Sequence, residues 1–107
     1  MPGYLEAIVL LFPREAGGRA SAVSPRDGNY RPFAQSENGP MLRLRFIEGP
    51  PSIAPGESAR VVAEIEEGVV LASGAELDLF EHDARTGVLT ISRVVTFSSQ
   101  PSTKPFV

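Results

Sequence analysis

GGRASAVSPRDGNYRPF, residues 17–33, is the stretch around which the rest of the chain is organised. With Arg14 just ahead of it, it carries four arginines (Arg14, Arg19, Arg26 and Arg31), together with three glycines and two prolines. No apolar periodicity runs through it, whereas the segments on either side read as strands. It is therefore an irregular, cationic segment displayed on a β scaffold. Gly17-Gly18 and Asp27-Gly28-Asn29 supply turn chemistry, because they reach positive φ where other residues resist it. The connection over residues 14–29 is longer than about a dozen residues, a length that in compact domains usually marks a functional or mobile loop.

Outward from this stretch, the scaffold reads as β throughout. On its N-terminal side, residues 4–12 (YLEAIVLLF) form a nearly continuous apolar run that stops at Pro13, the pattern of a strand buried on both faces. Glu6 is its one charge and needs a partner or an open edge. On the other side, residues 30–35 make a short strand in which Pro32 implies an edge or a bulge. Residues 42–47 (LRLRFI) alternate, with Leu42, Leu44 and Phe46 on one face and Arg43 and Arg45 on the other. Residues 54–57 (APGE) match a type II turn, with Pro and Gly at its two central positions. Residues 58–66 follow, lining Ala59, Val61, Ala63 and Ile65 on one face. After a short apolar piece at 69–71, residues 76–81 (ELDLFE) alternate again, residues 82–87 (HDARTG) make a hairpin-like connection, and residues 88–97 form the last long strand. Residues 98–107, beyond Phe97, are polar with two prolines and read as a mobile tail. Six or seven strands with frequent turns and no helix argue for an all-β barrel or sandwich, and barrel closure removes exposed edges.

Composition agrees with one domain over residues 1–97. A chain of 107 residues buries roughly two thirds of its unfolded surface, enough for one modest core. Ten Gly and ten Pro are scattered between apolar runs, as turns in a β protein require. The net charge of −3 argues against a chain-wide footprint for nucleic acid. The charge is uneven, however: residues 1–50 carry six Arg against five acids, and residues 51–107 carry four basic residues against eight acids. A local cationic face on an acidic body follows. With no Cys, disulfides, thiolate metal sites and a cysteine nucleophile are excluded, and a reducing cytoplasm suits the chain. The run at residues 7–12 is too short to span a membrane and lacks the basic flank of a signal peptide.

No residue set points to a reaction. His82, the only histidine, is flanked by Glu81 and Asp83, but an extended backbone points it away from both. A three-ligand metal site would need a sharp bend there, and a solvated hairpin residue is the simpler account. No Ser has nucleophile-elbow context. Gly17-Gly18-Arg19 is like part of an anion-binding nest, yet no helix follows and the glycine spacing matches no nucleotide motif. No cofactor, metal, nucleotide or catalytic role is expected. The four loop arginines offer forked donors for phosphate or carboxylate. Either they make local salt bridges with Glu15 and Asp27, or they form a recognition surface that Arg43 and Arg45 extend.

In order and spacing, these pieces resemble the C-terminal (third) barrel domain of translation elongation factor Tu. That domain has an apolar strand, Gly-Gly-Arg with a polar loop, then Tyr-Arg-Pro and Phe. Here these are residues 6–12, Gly17-Gly18-Arg19 and Tyr30-Arg31-Pro32-Phe33. A Pro-Gly-acid turn into a strand is matched by Pro55-Gly56-Glu57, and Arg-Thr in a glycine-containing hairpin by Arg85-Thr86-Gly87. The resemblance spans about ninety residues. It implies a six-stranded antiparallel, Greek-key-like barrel that does no chemistry. It also implies a tRNA-facing surface near Arg19, Tyr30-Arg31 and Arg85-Thr86. The chain departs from the family pattern in three places: the residue between Pro32 and Phe33 is missing, Ala20 replaces a larger group, and Asp83-Ala84 stands where the family has Gly-Gly.

The expected function is a stand-alone, non-catalytic binding module. Its binding residues are Arg14, Arg19, Arg26, Tyr30, Arg31, Arg85 and Thr86, and its partner is a translation-related protein or a tRNA-like RNA. The alternative is a protein–protein or immunity-type (antitoxin) role in which the chain mimics the factor's domain and binds no nucleic acid. A homodimer built on an exposed edge is the third option.

Overall fold

A computed structural model of the chain describes residues 3–26, 28, 30–37, 39–65 and 71–96, and within them six antiparallel strands close into a barrel. The strands are β1 (Gly3–Leu11), β2 (Phe33–Gln35), β3 (Met41–Glu48), β4 (Ser58–Ile65), β5 (Glu76–Glu81) and β6 (Ala84–Thr96). Around the ring they run β1-β4-β3-β2-β5-β6, and β6 pairs with β1 to close it. The two long-range pairings of β1 are possible because its sequence offers one unbroken run of strand formers for both neighbours.

The run at the start of the chain is not buried on both faces. Leu5, Ala7, Val9 and Leu11 are fully buried, but Ile8 and Leu10 lie outside at 45% and 39% exposure. A closed barrel has one interior, so each strand covers one face and leaves the other outward. The same alternation sends Leu44 and Phe46 of β3, Val61 and Ala63 of β4, Leu77 and Leu79 of β5, and Leu89 and Ile91 of β6 into one core. Glu6, on the outer face, meets Arg93 of β6 at 2.6 Å.

Pro32 does not mark an edge. β2 pairs with β3 on one side and β5 on the other, and Pro32 lies just before its first residue. The Pro32 and Tyr30 carbonyls accept hydrogen bonds from the Leu44 and Phe46 N–H groups, each at 3.1 Å. Pairing with β3 thus continues through carbonyls alone, and the N–H that proline lacks is not needed there.

The long connection between β1 and β2 has structure of its own. Arg14–Ala16 forms a single 3-10 turn, which Gly17 ends at φ 91. Gly18 then passes so close to Phe12 that a Cβ would overlap the Phe12 carbonyl oxygen, which excludes any other residue there. Further on, Val23 and Ile53 exchange two backbone hydrogen bonds of 2.9 Å, and both side chains join the core. The Ala54–Glu57 turn has the expected Glu57 N–H to Ala54 C=O bond of 3.0 Å, with Gly56 at φ 91. The connection expected over residues 82–87 is shorter, because Glu81 pairs with Ala84 and only His82 and Asp83 turn the chain. The tail at 98–107, Phe97, Glu66 and the start of the apolar piece at 69–71 lie outside the described residues. Among the described residues no helix is long and apolar enough to cross a membrane.

Candidate binding face

Strand parity builds the first part of the site. Leu77, Leu79 and Glu81 share the inward side of β5, so Glu81 arrives where the barrel interior opens to solvent. On β6 the inward residue beside it is Thr86, only 3% exposed. Tyr30 comes from the loop and sets its ring edge-on to core Phe46, with centroids 5.0 Å apart. Arg19 comes from the far end of the same loop. All three converge on one carboxylate: Glu81 accepts from Tyr30 Oη at 2.8 Å, from Thr86 Oγ1 at 3.3 Å, and from Arg19 Nε at 3.1–3.2 Å.

This cluster fastens the loop to the barrel. Arg19 also places its guanidinium 5.4 Å from the Tyr30 ring centre and donates through Nη1 to the Ser21 and Ala22 carbonyls. The arginine thereby holds its own loop in shape while its charge is matched by Glu81. Burial, reinforced by the hydrogen bond to Glu81, holds the Tyr30 phenol well above its ordinary ionisation range. The phenol stays a donor, which suits an acceptor-only carboxylate.

The second part is a row on the outer wall. Register places Arg43 of β3 beside Phe33 of β2, Phe33 beside Phe80 of β5, and Phe80 beside Arg85 of β6. Arg85 lies over the ring of Phe12, 4.9 Å from its centre, and Arg43 lies over Phe33 at 5.1 Å. All three phenylalanines are partly exposed. Tyr30, Arg31, Phe33, Phe80 and His82 line an open depression between this row and the loop.

The residues predicted from sequence therefore separate into groups. Arg19, Tyr30 and Thr86 are brought together, but around Glu81, with Thr86 inside the barrel mouth. Arg85 is on the opposite face of β6 from Thr86, paired with Asp78 at 2.8 Å. Arg26 Nε donates to the Gly49 carbonyl at 2.6 Å, and Arg31 Nε to the Gly28 carbonyl at 3.3 Å. Arg14 is exposed on the 3-10 turn. Arg45 pairs with Glu64 at 3.0 Å. The Gly17-Gly18 N–H groups do not form a nest, because they donate to the Arg14 and Pro13 carbonyls.

Sequence reasoning missed Glu81, Phe12, Phe33 and Phe80. Glu81 shares the parity of Leu77 and Leu79, a signal present in the pattern ELDLFE. The partnership of Phe33 with Phe80 depends on a strand pairing that no local pattern gives. Among the described residues no three His, Asp or Glu side chains are grouped to hold a metal. No protein-family model matches the chain, and no curated protein is similar to it.

Proposed function

We propose that this chain is a non-catalytic binding module of the cytoplasm, a stand-alone barrel of the elongation factor Tu C-terminal type, whose 14–33 loop face docks a translation-related protein. The observation that carries this reading is the outer row Arg43, Phe33, Phe80, Arg85 and Phe12, contiguous with a loop already fixed by Glu81. Aromatic and arginine side chains dominate the energetic centres of protein interfaces. A loop held in place before binding loses little entropy on docking. Arg31 lines the depression beside this face, and Thr86 and Tyr30 support it through Glu81.

A protein partner is favoured over RNA by the state of the arginines. Arg19 and Arg85 are matched by Glu81 and Asp78, and Arg26 and Arg31 donate to backbone carbonyls. The whole chain carries −3. RNA is the second reading, favoured by one feature: Phe33 and Phe80 lie side by side on adjacent strands, as a base-stacking platform does.

Native purification of the tagged chain, followed by mass analysis and ultraviolet absorbance ratio, tests both. The expected result is a stoichiometric protein component of the translation apparatus, lost from a folded Phe33→Ala/Phe80→Ala variant. A nucleic-acid absorbance signature that falls steeply with salt selects the RNA reading. Retention of the same components by the double variant overturns both.

A further inference from the structure

On a different part of the outer wall, around β1, the structure carries a second surface. The outward residues of β1 here are Ile8 and Leu10, two of the most exposed large apolar side chains among the described residues. Register gives their surroundings. Ile8 lies between Arg60 of β4 and Thr90 of β6, and Thr90 lies beside Glu76 of β5. One level along, Leu10 lies between Ser58 and Val88, and Val88 lies beside Asp78. The face thus has an apolar centre, a cation on one flank and an anion on the other.

Three other outer-wall acids are paired: Glu6 with Arg93, Glu64 with Arg45, and Asp78 with Arg85. Arg60 and Glu76 are exposed and have no ion-pair partner among the described residues. They cannot reach each other within one molecule, because three strand spacings of about 4.8 Å, roughly 14 Å of wall, separate them. Ile8 and Thr90 fill the space between.

We propose that this face binds a second copy of the chain, as a two-fold symmetric dimer with its axis parallel to the strands between β1 and β6. That operation exchanges the two flanks while keeping each level in register. It sets Ile8 against Thr90 of the other copy, Leu10 against Val88, and Arg60 against Glu76, each twice. A two-fold interface must be self-complementary in this way. A face with the same sign of charge on both flanks would repel its own copy. Sheets stacked nearly in line are also a standard packing. The contact is only a few residues deep on a convex wall, so a weak, concentration-dependent dimer is expected, at the small end of specific interfaces. This inference is independent of the partner proposed for the 14–33 loop face.

Sedimentation velocity of the purified full chain from about 1 µM to about 1 mM tests it, with circular dichroism confirming that each variant folds. The wild type is expected to pass from monomer to dimer across this range. Arg60→Glu and Glu76→Arg, each placing like charges together, are each expected to raise the dissociation constant at least ~10-fold. The double variant Arg60→Glu/Glu76→Arg restores opposite charges and is expected to return to within ~3-fold of wild type. Ile8→Glu is expected to abolish association. A chain that stays monomeric to about 1 mM overturns the proposal and leaves the face to a different molecule. A dimer unmoved by the single charge reversals, or not rescued by the double, overturns it as well.

Discussion

Glu81 shows how much one side chain holds at the residue scale. It is about a quarter exposed, and it answers a phenol, a buried hydroxyl and a guanidinium together. Removing it strands donors that sit out of water, which costs more than the loss of the bonds themselves. Glu81→Leu is expected to lower unfolding free energy by about 2–3 kcal/mol in urea titrations. In that background Tyr30→Phe should recover part of this loss instead of adding to it, because it removes a hydroxyl that has already lost its acceptor. Equal costs for Tyr30→Phe in both backgrounds would show that the phenol does not work through Glu81. Tyr30 also sets an alkaline limit. Its ionisation is raised in the folded chain, so the folded state keeps a proton that the unfolded state releases above about pH 10. The stabilisation is complete below that pH and declines as pH rises toward the folded-state value, by at most about 1.4 kcal/mol per pH unit. Urea titrations at pH 9, 10 and 11 should show this decline in the wild type, and Tyr30→Phe should flatten it.

At the scale of elements, strands were legible where alternation is local and illegible where pairing decides. LRLRFI and ELDLFE each state which face is covered, and Leu44, Phe46, Leu77 and Leu79 are buried accordingly. The first strand misleads because Ile8 and Leu10 are apolar yet outward, and nothing in a continuous apolar run says which half will find a core. Pro32 misleads for a related reason: a proline excludes only the N–H side of a pairing, and the geometry here uses the carbonyl side. The candidate site was half legible. Arg19, Tyr30 and Thr86 are drawn from the right segments, but the carboxylate that joins them, and the Phe33–Phe80 pairing, depend on contacts between strands remote in sequence. The β5–β6 turn is shorter than its sequence suggests, and its first residue carries a conformational cost. His82 opens it at φ 57, in the left-handed region that glycine favours in tight hairpins. Relief of about 1–2 kcal/mol of left-handed strain is opposed by glycine's larger unfolded-state entropy, about 0.5–1 kcal/mol. His82→Gly should therefore stabilise by about 0.5 kcal/mol, a rise of a few degrees in melting temperature for a domain of this size. His82→Val, β-branched at the same φ, should shift it the other way by about 1 kcal/mol. A melting temperature indifferent to both substitutions would mean that the turn relaxes without strain.

For the whole molecule, closure makes stability collective. β1 pairs along its length with β4 and with β6, so the first and last strands of the barrel hold each other, and β2, only three residues long, closes the far side of the ring. Pairings this distant in sequence cannot form in isolation, because the loop-closure entropy is recovered only when the ring is complete. Opening the β1–β6 seam would expose Leu5, Val9 and Leu11 on one side and Leu89 and Ile91 on the other, all at or below 1% exposure. At about 25 cal/mol per Å² of apolar surface, such an opening is too costly to be populated short of global unfolding. The prediction concerns amide hydrogen exchange. Leu5→Ala on β1 should reduce global stability by about 2–5 kcal/mol, as cavities from buried leucine do. The slowest amides of β3, β4, β5 and β6 should all lose protection by that same increment, although some lie across the barrel from the mutated site. If β3 and β5 instead keep wild-type protection while β1 and β6 exchange quickly, the seam opens on its own. In that case β1 and β6 detach at their shared seam as a unit less stable than the rest of the barrel.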